Sequence, residues 1–305
     1  MRLGTIESGG TTTAVVGVSD EEAAVIDGYP DVAALITGGA AAQAAIAAAV
    51  TGGPRVAVGA VDWRPPVLRP GKVLAIALNN SANPDRIMRG PDHPAGFIKP
   101  SSSLIGSGRP IRLRAEYGRV HPEPELAVVL GVGGSDIPES EAYAHVFGYT
   151  IINDLTSPSM RGDDTFHYRA IHPDPDAEDG IAYVDSWVSY PARYKGADTF
   201  GPIGPWVVTA DEIPDPHALR ITCSHDGRLI TDDSTANLRF SVAEVIAYMS
   251  RTMSFEAGDV IAMGTALKRS ARGGAVQNVD LTTLGGVIEV AVEGIGTLSN
   301  PVERR

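Results

Sequence analysis

Short apolar runs separated by turn residues dominate the chain. Residues 73–78, 126–130, 147–152, 206–209, 219–224, 260–263 and 287–292 each combine β-branched or aromatic residues with flanking Gly, Pro, Asn or Asp, and predict strands. The runs at 126–130 and 147–152 show no alternation, which predicts strands covered on both faces, whereas 287–292 alternates and predicts one covered face. Asp226-Gly227 between 221–225 and 228–231 is a hairpin signal. One helix is well marked. Ser241 and Glu244 have capping-box spacing, and Val242, Val245, Ile246, Met249 and Met253 form an apolar stripe that reads as core contact. The lighter first part holds a strand signal at 14–18 and an alanine-rich helix at 40–50, followed by a stiff connector at 63–71 with Pro65, Pro66 and Pro70. This pattern predicts an α+β chain that is mostly β, with a small N-terminal domain over 1–66 and a larger one over 67–305.

Three acidic residues touch these buried runs. Glu123 and Glu125 precede 126–130, and Asp154 ends 147–152. Unpaired buried carboxylates cost several kcal/mol, so such groups neutralise, pair or hold a cation. In an extended strand Glu123 and Glu125 share a face, roughly 7 Å apart along the chain. Two inner strands therefore deliver three oxygen ligands to one place, and an all-carboxylate set favours a hard ion, Mg2+ first, with Mn2+ or Ca2+ also accommodated. The alternative is that Glu123 lies at an edge beside Pro122 and Pro124, with Asp154 capping a turn.

Composition narrows the partners. With 305 residues, 43% hydrophobic, the chain can bury a sizeable core. A formal charge of −12 with scattered lysines and arginines argues against nucleic acid. A single cysteine, Cys223, excludes an internal disulfide framework. No run approaches the roughly 18 apolar residues of a membrane span, and residues 1–10 lack a basic start followed by an apolar stretch, so a cytoplasmic protein is expected. Gly131-Val-Gly-Gly134 lacks the spacing of a dinucleotide loop.

Seven segments in order carry a resemblance. They are Lys72-Val-Leu-Ala-Ile-Ala-Leu-Asn79, Phe97-Ile-Lys-Pro-Ser-Ser-Ser-Leu104, Glu123-Pro-Glu-Leu-Ala-Val-Val-Leu-Gly131, Gly148-Tyr-Thr-Ile-Ile-Asn-Asp154, Lys195-Gly-Ala-Asp-Thr-Phe-Gly-Pro-Ile-Gly-Pro-Trp206, Gly258-Asp-Val-Ile-Ala-Met-Gly-Thr265 and Gly294-Ile-Gly-Thr-Leu-Ser-Asn300. Over about 72–302 the chain resembles the fumarylacetoacetate hydrolase family. The resemblance implies a mixed β-sandwich or roll, commonly a homodimer. It also implies that Glu123, Glu125 and Asp154 hold a divalent ion and that Lys195 is the active-site lysine of Lys-Gly-x-Asp. Thr265 matches a position that meets substrate, and Gly264, Arg161 and Asn79 complete the candidate substrate-binding set. The implied substrate is a small oxo acid or diketone whose neighbouring oxygens chelate the ion, and the implied reaction is hydrolytic C–C cleavage through a metal-stabilised enolate.

The chain also departs from the family. Hydrolytic members follow the Leu-Asn segment with a histidine, where this chain reads Asn80-Ser-Ala-Asn83-Pro-Asp85. Pro158 stands where an arginine is expected after the acid, leaving Arg161 or Arg169 as substitutes, and a stretch at 161–189 reads as an insertion. His93, beside Asp92, and His121, two residues before Glu123, are the candidate bases; His167 is a further pocket candidate. Without a base for water, decarboxylation, isomerisation, tautomerisation or hydration of a 2-oxo acid is the alternative, and a non-catalytic binding protein the third reading.

Overall fold

The runs at 126–130 and 147–152 become the neighbouring antiparallel strands Pro124–Leu130 and Val146–Asn153. The computed structural model describes residues 1–80, 87, 89–265 and 276–305. Among these, the two strands lie in the middle of an 11-stranded sheet. Val260–Ala262, Val73–Ile76 and Gly96–Lys99 continue it on one side; Trp206–Thr209, Arg2–Ser8, Thr11–Gly17, Glu22–Ile26 and Arg55–Ala57 continue it on the other. Pro124 is tolerated in this inner strand because it is the first residue, where its missing N–H breaks no ladder.

Both faces are covered, which accounts for the unbroken apolar runs. Leu126, Val128 and Leu130 point to one core shared with Ile221, Cys223, Val290 and Leu298 of a second, five-stranded sheet. Ala127 and Val129, one residue out of phase, join a second cluster with Ala14, Val16 and Ile46, the last on the helix Gly39–Gly52. Each such fully buried Leu or Ile contributes about 1.5–3 kcal/mol. The architecture is α+β and mostly β. Cys223 lies inside the core, where burial pushes its thiol up to about 12 and leaves it unreactive.

The N-terminal strands are not detached from this sheet. Arg2–Ser8 pairs with Trp206–Thr209, so we propose that residues 1–66 form a small unit built onto the larger one. No helix among the described residues is long and apolar enough to cross a membrane.

The capping-box helix is Val242–Met249, and Met253 lies beyond its end while still packing on the core. Ser241 and Glu244 cap it reciprocally, and the Val242 N–H donates to His217 Nε2 at 3.1 Å. That acceptor exists only in the neutral imidazole. Burial holds His217 below its ordinary pKa, so the unfolded chain takes up the proton first as pH falls. Stability from this group is full above about pH 6.5 and declines below it. His217→Gln is expected to flatten that decline, read by urea denaturation on either side of about pH 6.5.

Candidate active site

Strand register brings the three acids together. Pro124 pairs with Asn153 and Glu125 with Ile152, so Glu123 falls opposite Asp154 at the strand ends. The Asp154 N–H donates to the Glu123 carbonyl at 2.9 Å, and the Glu123 N–H donates to Asn153 Oδ1 at 2.9 Å, which fixes both ends. One carboxylate oxygen from each of Glu123, Glu125 and Asp154 lies within 4.8 Å of the others. They sit in a cavity of about 240 Å³, lined also by Ile76, Asn79, Phe97, Arg161, Tyr194 and Lys195, with Thr265 and Gln277.

Lys195, on the short helix Ala192–Gly196, donates from Nζ to Asp154 Oδ2 at 2.6 Å and to Glu123 Oε2 at 2.7 Å. Burial opposes its charge, but Asp154, Glu123 and Glu125 outweigh burial and hold its pKa above the ordinary lysine value. Burial would raise Glu123, yet Lys195 and His121 beside it hold that carboxyl well below its usual range. Glu125 goes the other way. Burial, then the adjacent Asp154 carboxylate, push it well above its usual range. It accepts a hydrogen bond from the Gly264 N–H at 2.8 Å, and no cation pairs with it among the described residues. A carboxylate 2% exposed without a cation, beside two others, is the donor set a hard divalent ion satisfies. The residues therefore fit such an ion.

Gly264 holds this arrangement through its backbone. Its φ is +97°, and an added Cβ would stand 2.8 Å from Asn79 Cβ. Gly264→Ala is expected to cost about 1–3 kcal/mol and to weaken ion binding, since the N–H must move off Glu125. Urea denaturation and Mn2+ titration would read the two effects.

The other expected site residues divide. Thr265, Arg161 and Asn79 line the cavity. The Asn79 amide, however, is committed to backbone: Nδ2 donates to the Phe240 and Met263 carbonyls, and Oδ1 accepts from the Phe240 N–H. His121 is buried behind Glu123, with Nε2 3.2 Å from Glu123 Oε1, and does not line the cavity. His93 is exposed, stacks on Tyr248 at 4.6 Å between centroids, and does not line the cavity. Arg169 pairs with Asp185, and both it and His167 lie in a separate exposed hairpin. Asn83 and Asp85 lie outside the described residues.

Sequence reasoning passed over Lys99. It ends the strand Gly96–Lys99, is 1% exposed, ion-pairs with Asp154 Oδ1 at 2.8 Å, and donates to the Lys195 and Phe200 carbonyls. Burial lowers its pKa, and Asp154 offsets this only in part. The signal was present: a lysine within the apolar Phe97-Ile98-Lys99. Tyr194 and Gln277 were missed for want of any pattern.

Comparison with known proteins agrees with this geometry. Residues 72–303 match the fumarylacetoacetate (FAA) hydrolase C-terminal family. An uncharacterized protein of Archaeoglobus fulgidus is 34% identical over 249 residues, covering 81% of this chain and 84% of its own. The solved 5-carboxymethyl-2-hydroxymuconate delta-isomerase from Mycobacterium smegmatis is similar with a TM-score of 0.70 and 29% identity, covering 100% of this chain and 99% of the other. Maleylpyruvate hydrolase from Sphingobium sp. SYK-6, solved in complex with manganese (II) ion and pyruvate, is similar with a TM-score of 0.74 and 26% identity, covering 100% of this chain and 99% of the other. The match over 72–303, on a chain that also shares the fold of these enzymes along its length, means that this protein belongs to the fumarylacetoacetate hydrolase family.

Proposed function

We propose that the protein is a divalent-metal-dependent enzyme that hydrolytically cleaves a C–C bond in an acylpyruvate or other 1,3-dicarbonyl substrate. The observation that carries this reading is the convergence of Glu123, Glu125 and Asp154 beside Lys195 in one cavity. Mg2+ is the proposed ion, and the manganese and pyruvate of the Sphingobium relative support a divalent ion that receives a 2-oxo acid. When bound, the ion acts as a Lewis acid toward developing enolate charge, worth several kcal/mol.

The chain's own groups supply the rest. Glu123, Glu125 and Asp154 would hold the ion. Lys195, whose ammonium form its carboxylate neighbours favour, places a positive charge at the reacting centre. Arg161 lines the cavity and has no ion-pair partner among the described residues, so its guanidinium is available to a substrate carboxylate. Phe97, Ile76 and Tyr194 give apolar walls that orient the substrate and exclude water.

One observation favours a second reading. No histidine lines the cavity among the described residues, so no imidazole is placed to activate water. The same site without water attack would isomerise or decarboxylate a 2-oxo acid, and the Mycobacterium smegmatis relative is an isomerase. Product analysis with an acylpyruvate and with oxaloacetate, each with and without EDTA, separates these readings. Acid plus pyruvate means hydrolysis; carbon dioxide release or enol loss alone means the second reading. Turnover unaffected by EDTA would contradict both.

A further inference from the structure

Hydrolytic C–C cleavage and decarboxylation both leave the enolate of a 2-oxo acid, and turnover ends only when a proton reaches the carbon beside its carbonyl. The described lining residues offer few donors for that proton. Glu123, Glu125 and Asp154 are given over to the ion, and Lys195 Nζ donates to Asp154 Oδ2 and Glu123 Oε2. Arg161 does not release a proton, and amides such as Asn80 and Gln277 carry none that can be given up. The Thr156 hydroxyl donates to the Asp154 carbonyl at 3.2 Å, the Thr265 hydroxyl to the Pro124 carbonyl at 3.4 Å, and the Asn79 amide to backbone. Tyr194 remains.

Tyr194 lines the cavity, half-buried, and its hydroxyl has no hydrogen-bond partner within the chain among the described residues. Such a hydroxyl usually finds a partner, so one left over beside a cavity is open to a ligand. Its place is set by the backbone. Tyr194 precedes Lys195 on the helix Ala192–Gly196, its carbonyl accepts from the Ser157 N–H at 3.0 Å, and the residue packs against the core. The Ser157 side chain caps the helix Pro158–Asp163, which carries Arg161, so one residue ties together the two helices that bear Arg161, Tyr194 and Lys195. Burial, the largest influence on the phenol, keeps it protonated; Arg161 and then Lys195 favour the phenolate, against Asp154 and Asp164. A phenol is a far stronger acid than the carbon beside a ketone, so the transfer from Oη to the enolate carbon runs downhill.

We propose that Tyr194 is a further catalytic residue, which donates the proton that quenches the product enolate. This rests on the reading that the cavity generates an enolate, and it serves cleavage and decarboxylation alike. The Oη–H bond breaks as the C–H bond forms. The enolate electron pair makes the new bond, the negative charge passes to Oη, and a proton from water restores the hydroxyl.

Ketonisation of enolpyruvate isolates this step. The enol is generated in place from phosphoenolpyruvate by a metal-independent phosphatase and followed by its ultraviolet absorbance. The wild type with Mn2+ is expected to accelerate ketonisation and to lose that acceleration with EDTA. Tyr194→Phe, which removes only Oη, is expected to lower the acceleration about 10²-fold or more, with circular dichroism, Mn2+ affinity and pyruvate affinity unchanged. A residue that served only as an apolar wall would be replaced by phenylalanine without loss. Acceleration unchanged in Tyr194→Phe, or lost only in step with Mn2+ or pyruvate affinity, would give the proton to another group, Lys195 first, and overturn the inference while leaving the enolate reading intact. A wild type that binds Mn2+ and pyruvate yet leaves the enol untouched would overturn both.

Discussion

Replacing Asp154 by asparagine is expected to remove divalent-ion binding and to cost about 3–5 kcal/mol of fold stability, because buried Lys99 loses its carboxylate partner while Lys195 keeps only Glu123. Lys99 is fully buried and Lys195 nearly so, and Asp154 is the carboxylate both reach, at 2.8 Å and 2.6 Å. The asparagine keeps the shape but leaves the Lys99 ammonium without a counter-charge in a site from which water is largely excluded. Glu125→Gln is the control. Glu125 has no cation partner among the described residues, and an amide oxygen can still accept from the Gly264 N–H, so stability should hold while ion affinity falls. That fall should exceed the about 10–100-fold loss typical of outer partners of a metal site. Urea denaturation with and without Mn2+ reads both variants: the wild type gains stability from the ion by mass action, and neither variant should. Equal stability loss in the two would mean that the lysine pairing does not decide the matter.

Lys195→Met is expected to lower turnover by about 10²–10³ at saturating ion, the usual cost of removing one preorganised charge from a reacting centre. The ion should still bind, since Lys195 competes with it for Glu123 Oε2 and Asp154 Oδ2. Kinetics with Mn2+ titration separates the two quantities. Loss of ion binding with turnover recovered at high Mn2+ would make Lys195 a support for the site and not a charge used in the reaction.

Much of this was legible because burial leaves a mark on sequence. The unbroken run Leu126 to Leu130 announced a strand covered on both sides, and the acids at its start could be placed on one face by counting. Ser241 and Glu244 gave the helix start, although the stripe was carried to Met253 past the true end at Met249. The rest depended on contacts far apart in the chain. The strand Arg2–Ser8 mixes Arg2, Thr5 and Glu7 with its apolar residues, so its place in the sheet follows only from its pairing with Trp206–Thr209. Lys99 could be marked from its apolar neighbours Phe97 and Ile98, but its partner Asp154 lies 55 residues on and only the fold brings the two together. The stretch at 161–189 read as an insertion but not as the paired strands Thr165–Pro173 and Ile181–Ser189. With apolar side chains exposed on both faces, it has no inside and outside for a pattern to record.

The most direct test of the three-carboxylate centre is anomalous diffraction from a crystal soaked with Mn2+ and pyruvate. The account expects one manganese peak within about 2.0–2.4 Å of an oxygen from each of Glu123, Glu125 and Asp154, with pyruvate reaching it through two oxygens beside Lys195. No peak between these residues at saturating Mn2+, with Lys195 still bridging Glu123 and Asp154, would contradict it.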